Sequence, residues 1–260
     1  MPQSSGSKAS NWQAESLRLT VFLATNVQLR DEGWWTKVAG TDPENRIAKP
    51  NRGEIVEAGI FQGNVLTLSV QPGRVDWILG PNMSIEDDLG EIKSVGSFRS
   101  AETTFSATMS DWLKDCPSTV RLAYGAVLLE PVENREKGYL RVAEYVPAVK
   151  IDPLGSEDFL YQINRPREST TVKGMRLNRL SKWSVASFQP VRFSIGIPQS
   201  QPRQPLVYSH GGTLAMACRA EFDLSTAAGI QQELPHDMLP RIFNELVALG
   251  SEIALYGDMP

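Results

Sequence analysis

The stretch Asn64 to Leu79 constrains the fold more than any other. NVLTLSVQ and RVDWIL are two arms of β-forming residues joined at Pro72-Gly73, the pattern of a hairpin. Successive side chains of an extended chain face opposite sides, so Val65, Thr67 and Ser69 share one face and Leu66, Leu68 and Val70 the other. One face is therefore apolar enough to be buried, which predicts an antiparallel sheet with a covering layer.

Other segments read in the same way. Leu17 to Asn26 (LRLTVFLATN) predicts a largely buried strand, and Thr119 to Val132, Phe159 to Asn164, Met175 to Phe193 and Leu214 to Leu224 predict more. Phe105, Met109, Trp112, Leu113 and Cys116 recur at helical spacing until Pro117 stops them. A second helical stripe, Ile242, Phe243, Leu246, Val247, Leu249 and Ile253, has Pro240 in its first turn and Gly257 at its end. The charged ENREKG reads as a turn, and YLRVAEYV as a short helical segment ending at Pro147. Gly33 to Gly53 reads as turns, with one of Trp34 and Trp35 capping the core and the other exposed, because neighbours on a strand cannot both point inward. The acidic SIEDDLGE, residues 84–91, is expected in solvent.

These elements define an α+β class of antiparallel sheets, each covered by an amphipathic helix. Residues 1–16 are expected to be a flexible tail, with 17–150 and 151–260 as two similar halves or parts of one continuous domain. No residue-level repeat relates the halves.

At 41% apolar residues over 260 positions the chain can build a core without covalent staples. Its two cysteines, Cys116 and Cys218, sit within apolar patterns and read as small buried hydrophobes in a reducing compartment. MPQSSGSKASNWQ lacks the apolar segment of a secretion signal, and no apolar run reaches the roughly 18 to 20 residues that span a bilayer. A cytoplasmic protein without membrane contact is expected.

Reactive groups are scarce. Two histidines are present, His210 in YSHGG and His236 in LPHDM, and the first reads as a loop residue beside turn-making glycines. A Gly-x-Ser-x-Gly turn is missing, so the His-Gly-Gly string does not extend to an esterase site. Paired His or Cys ligands at zinc spacing are missing too, as are glycine-rich phosphate loops, so no cofactor is expected. Glu221 and Asp223, two apart on a strand, share a face and suit a hard divalent cation in a nuclease-like site; an exposed edge face is the plainer reading.

Charge is more informative. The net charge of −4 opposes a protein whose whole surface coats nucleic acid or an anionic membrane. Yet Arg165, Arg167, Lys173, Arg176, Arg179, Lys182, Arg192 and Arg203 face only Glu168 within their segment, which is +7 and leaves −11 elsewhere. In extended form Arg176, Asn178, Leu180 and Lys182 share one side, and Leu177, Arg179, Ser181 and Trp183 the other. Together with Trp183 and the Trp34/Trp35 loop, this segment is the candidate partner surface, for an acidic protein steered by charge or for a nucleic acid. A solvated hairpin face is the plain alternative.

Three places, Val120 to Gly125 (VRLAYG), Phe222 to Thr226 (FDLST) and the closing helix, resemble a sporadically distributed family of uncharacterised bacterial proteins. The resemblance covers about the last half of the chain and carries no catalytic residue. It implies a bacterial accessory or mobile-element-associated role. The expected function is thus a non-enzymatic binding protein; the alternatives are a divalent-metal hydrolase or nuclease, and a self-assembling structural component.

Overall fold

The computed structural model describes residues 11–24, 33–83, 92–188, 215–228 and 232–259. Its elements are β1 (Gln13–Leu23), α1 (Trp34–Ala39), β2 (Asn45–Lys49), β3 (Glu54–Phe61), β4 (Asn64–Gln71), β5 (Arg74–Gly80), β6 (Gly96–Ser97), α2 (Phe98–Trp112), β7 (Thr119–Val132), α3 (Arg135–Tyr145), β8 (Leu160–Asn164), β9 (Arg167–Glu168), β10 (Arg176–Phe188), β11 (Ala215–Thr226) and α4 (Leu239–Tyr256). Short 3-10 turns lie at Pro50–Arg52 and His236–Met238. The class is α+β. The strands form one antiparallel sheet in the order β2-β3-β4-β5-β1-β7-β11-β10-β8, with β6 on β1 and β9 on β10. Because β1 and β11 both pair with β7, the two expected halves share a single sheet.

Alternation along each strand decides which face is buried. In β4 the apolar set Leu66, Leu68 and Val70 lies opposite Leu79, Trp77 and Val75 of β5. Those residues pair in turn with Leu17, Leu19 and Val21 of β1. Across β7 and β11 the row continues through Ala126 to Phe222 and through Tyr124 to Leu224. The result is an apolar wall five strands wide, every residue of it buried.

All four helices pack on this wall. Tyr124 donates its hydroxyl to Glu102 of α2 at 3.2 Å. On α4, Gly250 lets the helix backbone approach the sheet so closely that a Cβ there would stand 2.9 Å from the Tyr124 ring. Gly138 of α3 lies against Val185 and Val132 in the same manner, and the Trp35 ring of α1 lies over Gly59 of β3. Among the described residues the opposite face of the sheet carries no helix.

Several expectations are corrected. Gly33 to Gly53 is not all turn: it contains α1 and β2, and Gly33 and Gly40, both at positive φ, bracket α1. On a helix adjacent side chains diverge by about 100° rather than 180°, so Trp34 and Trp35 are both buried, Trp34 edge-on to Trp112 at 5.5 Å. ENREKG is not a turn but the opening of α3, whose first turn is capped by the Asn134 side chain accepting from Lys137 N. Order begins before Leu17. Trp12, placed by the sequence in the tail, is buried beside Tyr145 and Trp183 and donates Nε1 to Ala254 O at 3.0 Å. Residues 84–91 lie outside the described residues, as do residues 189–214 between β10 and β11. No helix among the described residues is long and apolar enough to cross a membrane.

Phe243 measures how firmly α4 is docked, because it is fully buried and meets Tyr124 edge-on at 6.0 Å. Phe243→Ala is expected to cost about 3–5 kcal/mol in denaturant unfolding. A cost under about 1 kcal/mol would mean that α4 does not cover β7.

Candidate binding face

The basic segment does not stand free. Arg165 grips Asp258 with Nε to Oδ1 at 2.5 Å and Nη2 to Oδ2 at 2.9 Å, and Tyr161 adds its hydroxyl to Oδ2 at 2.7 Å. Arg167 holds Glu252 through two bonds of 2.9 and 3.1 Å. Arg179 is itself buried, with Nη2 3.5 Å from the same carboxylate. Farther along α4, Glu245 accepts from Ser169 Oγ at 2.6 Å, from Thr170 N at 2.6 Å and Thr170 Oγ1 at 2.8 Å, and from Thr171 N at 3.2 Å. Much of the charge asymmetry seen in the sequence is therefore internal complementarity between β8–β10 and α4. Trp183 lies in the core, stacked on Tyr145 at 5.2 Å, so neither it nor Trp34 and Trp35 forms a platform for a partner. Of the basic residues, Lys173 and Arg176 are exposed, Lys182 lies on the helix-free face, and Arg192 and Arg203 fall outside the described residues.

These contacts bias protonation. Hydrogen bonds from Arg165, with Tyr161 and the charges of Arg165 and Arg179 behind them, hold the Asp258 carboxyl below its ordinary value against the effect of burial. For Glu245 burial opposes the charge, and the donors of Ser169, Thr170 and Thr171 outweigh it, again lowering the value. Glu102 goes the other way: burial raises it despite hydrogen bonds from Ser251 and Tyr124.

The helix-free face is built by the residues that alternate with the apolar wall. One register row crosses six strands: Ile78, Arg18, Gly125, Asp223, Leu180 and Asn164. The next contains Ser16, Val127, Glu221, Lys182 and Gln162. All of these but Asn164 line a concavity of about 410 Å³, within the size range of ligand pockets. Glycine at position 125 matters here. A Cβ would stand 3.2 Å from the Arg18 Nε and Nη2 atoms, so its absence lets the guanidinium lie flat across β7. Arg18 Nη2 remains 3.8 Å from Asp223 Oδ2, beyond hydrogen-bond reach.

Beside this trough, Arg74 holds the buried Asp76 through bonds of 2.6 and 2.8 Å, and Thr20 Oγ1 donates to the same carboxylate at 2.6 Å. Arg121 lies 4.9 Å from the centre of the Phe22 ring and donates to Ser225 Oγ at 3.0 Å. Sequence reading missed Arg18, Arg121 and Gly125. The signal was present in LRLTVF, where Arg18, Thr20 and Phe22 alternate with Leu17, Leu19 and Val21, but the segment was read as one apolar run.

Glu221 and Asp223 do share this face. Glu221 is held by Lys182 at 2.9 Å and Arg219 at 2.5 Å, cations that a metal would have to displace, and no group of three metal-binding side chains occurs among the described residues. Burial pushes the Cys116 and Cys218 thiols up to about 11 and about 12, so neither carries a useful thiolate fraction at neutral pH. His236 lies in the 3-10 turn with Nε2 3.0 Å from Cys116 O, and His210 is outside the described residues. Comparison with known protein families, with curated proteins and with solved structures finds no match.

The clasp between Asp258 and Arg165 gives a pH test. A carboxylate whose folded-state value is depressed stabilises above its unfolded value, near 4, and loses that contribution as pH falls through the folded value. Asp258→Asn is therefore expected to cost on the order of 1–3 kcal/mol at pH 7, with the gap to the parent protein narrowing below about pH 4. Urea unfolding across that range measures it; a gap constant with pH would assign the cost to packing alone.

Proposed function

We propose that this is a non-enzymatic binding protein, an accessory component of the bacterial type that the resemblance implies, which receives a macromolecular partner on its helix-free sheet face. One observation carries the reading: among the described residues the four helices lie on one side of the sheet and none on the other, and on that other side Arg18 of the central strand makes only a 3.8 Å ion pair with Asp223 while its Nε has no hydrogen-bond partner. Buried polar atoms without partners are uncommon in finished structures, and a partner is one way to complete them. The same face mixes apolar side chains such as Ile78, Val127 and Leu180 with paired charges, the composition of an interface that also spends time in water. Strand β10 joins the basic segment to this face, since Leu180 and Lys182 lie in the trough while Arg176 is exposed at the strand's start. A protein partner is favoured over nucleic acid because Glu221 and Asp223 balance Arg18 and Lys182 in the trough, which leaves it without the net positive charge that a polyphosphate chain needs, while a single carboxylate can still find one guanidinium.

A photo-crosslinking amino acid at Leu180 or Thr67, on the helix-free face, is expected to yield a discrete adduct in the native cell. The same amino acid at Glu136 or Arg241, on the helix side, is expected to yield none. Adducts confined to the helix side, or no adduct from either, would overturn the docking face.

A further inference from the structure

We infer that the partner seats a carboxylate group on Arg18, with apolar side chains beside it on Ile78 and Val127 and farther along the trough on Leu180; the inference rests on the docking-face reading above. The starting point is a contrast among the cations of the helix-free face. Arg74, Lys182 and Arg219 each touch a carboxylate, at 2.6, 2.9 and 2.5 Å. Arg18 is held more loosely: its ion pair with Asp223 is 3.8 Å long with both side chains more than a third exposed, and its buried Nε has no hydrogen-bond partner among the described residues. A guanidinium carries five N–H donors in a fixed fork, and a carboxylate that takes two of them in parallel forms one of the stronger hydrogen-bonded pairs. Gly125 keeps the fork laid across the trough floor rather than lifted into solvent. Ile78 lies directly beside Arg18 on β5 and Val127 in the next row on β7, while Leu180 closes the same register row three strands away on β10, beyond Gly125 and Asp223.

A second unmet donor extends the site. Among the described residues Arg121 Nε is likewise buried without a partner, and the contacts of Arg121 there are with Ser225 Oγ and the Phe22 ring. Four residues of β7 separate Arg121 from Gly125, the residue beneath Arg18, which corresponds to about 13 Å along a strand. An extended acidic peptide with carboxylates four residues apart spans the same interval. The occupant is therefore an acidic segment of a protein. Its apolar neighbours suit aliphatic side chains, and Phe22, flanked by Arg74 and Arg121, offers no free ring for base stacking.

The test is a random dodecapeptide library displayed on phage, panned against the folded protein, with the selected peptides then measured by fluorescence anisotropy. Binding to the face is checked with Leu180→Asp, and the anchor with Arg18→Met and with Glu→Gln or Asp→Asn in the peptide, the last leaving the protein's fold untouched. The expected result is selection of sequences with Asp or Glu beside aliphatic residues, and weakening of about ten-fold or more for either anchor change. Peptides that lose binding with Leu180→Asp but lack an acid, or bind Arg18→Met equally well, overturn the carboxylate anchor and leave the docking face standing. Peptides indifferent to Leu180→Asp, or no selected peptide at all, overturn both. Displacement of the peptides from the parent protein, but not from Arg18→Met, by micromolar oligothymidylate of twelve nucleotides would overturn the protein partner in favour of nucleic acid.

Discussion

The architecture depends on the register of β7 between β1 and β11. Tyr124 is the pivot, because it stands opposite Leu19 on one side and Leu224 on the other, and two helices meet on it, α2 through Glu102 and α4 through Gly250 and the ring of Phe243. A slip of one residue would turn Tyr124 and its apolar neighbours outward and bring Arg121, Ala123 and Gly125 under the helices. Neither face would survive that exchange. The buried wall would lose its apolar continuity, and the trough would lose the glycine over which Arg18 lies. Packing on one side and the candidate site on the other are thus fixed by a single alignment.

Where a segment stated its period clearly, the sequence was legible. The hairpin at Pro72-Gly73, the span of β7 and the stripe of α4 could be read from alternation, helical spacing and caps. Short elements were not. α1 has six residues and owes its existence to the burial of two tryptophans against β3 and α2, a tertiary effect that local turn chemistry conceals. α3 opens on charged residues, which is compatible with a turn or with a capped helix, and the Asn134 cap decides between them only once the chain is folded.

The site was less legible than the fold, for a different reason. A run of basic residues is visible in a sequence, whereas the acids that neutralise it are not. Glu245, Glu252 and Asp258 follow the basic strand by dozens of residues, and nothing local marks them as its partners. Conversely, Arg18 stands alone among apolar letters and gives no charge signal, although its Nε is buried on the helix-free face without a hydrogen-bond partner among the described residues. What singles out a guanidinium is the shortage of oxygen around it, and that is a property of the assembled sheet.

The hydrogen bond from Trp12 to Ala254 joins positions 242 residues apart, and β1, at the centre of the sheet, cannot complete its second edge until β7 exists. Such long sequence separations make chain closure a slow, late event. A growing polypeptide would therefore hold β1 with one unpaired edge through the synthesis of more than a hundred residues, and would seal its core only when α4 had emerged from the ribosome. The vulnerable period of such a chain lies in its making, and follows from the order in which its strands are synthesised rather than from any weakness of the finished sheet.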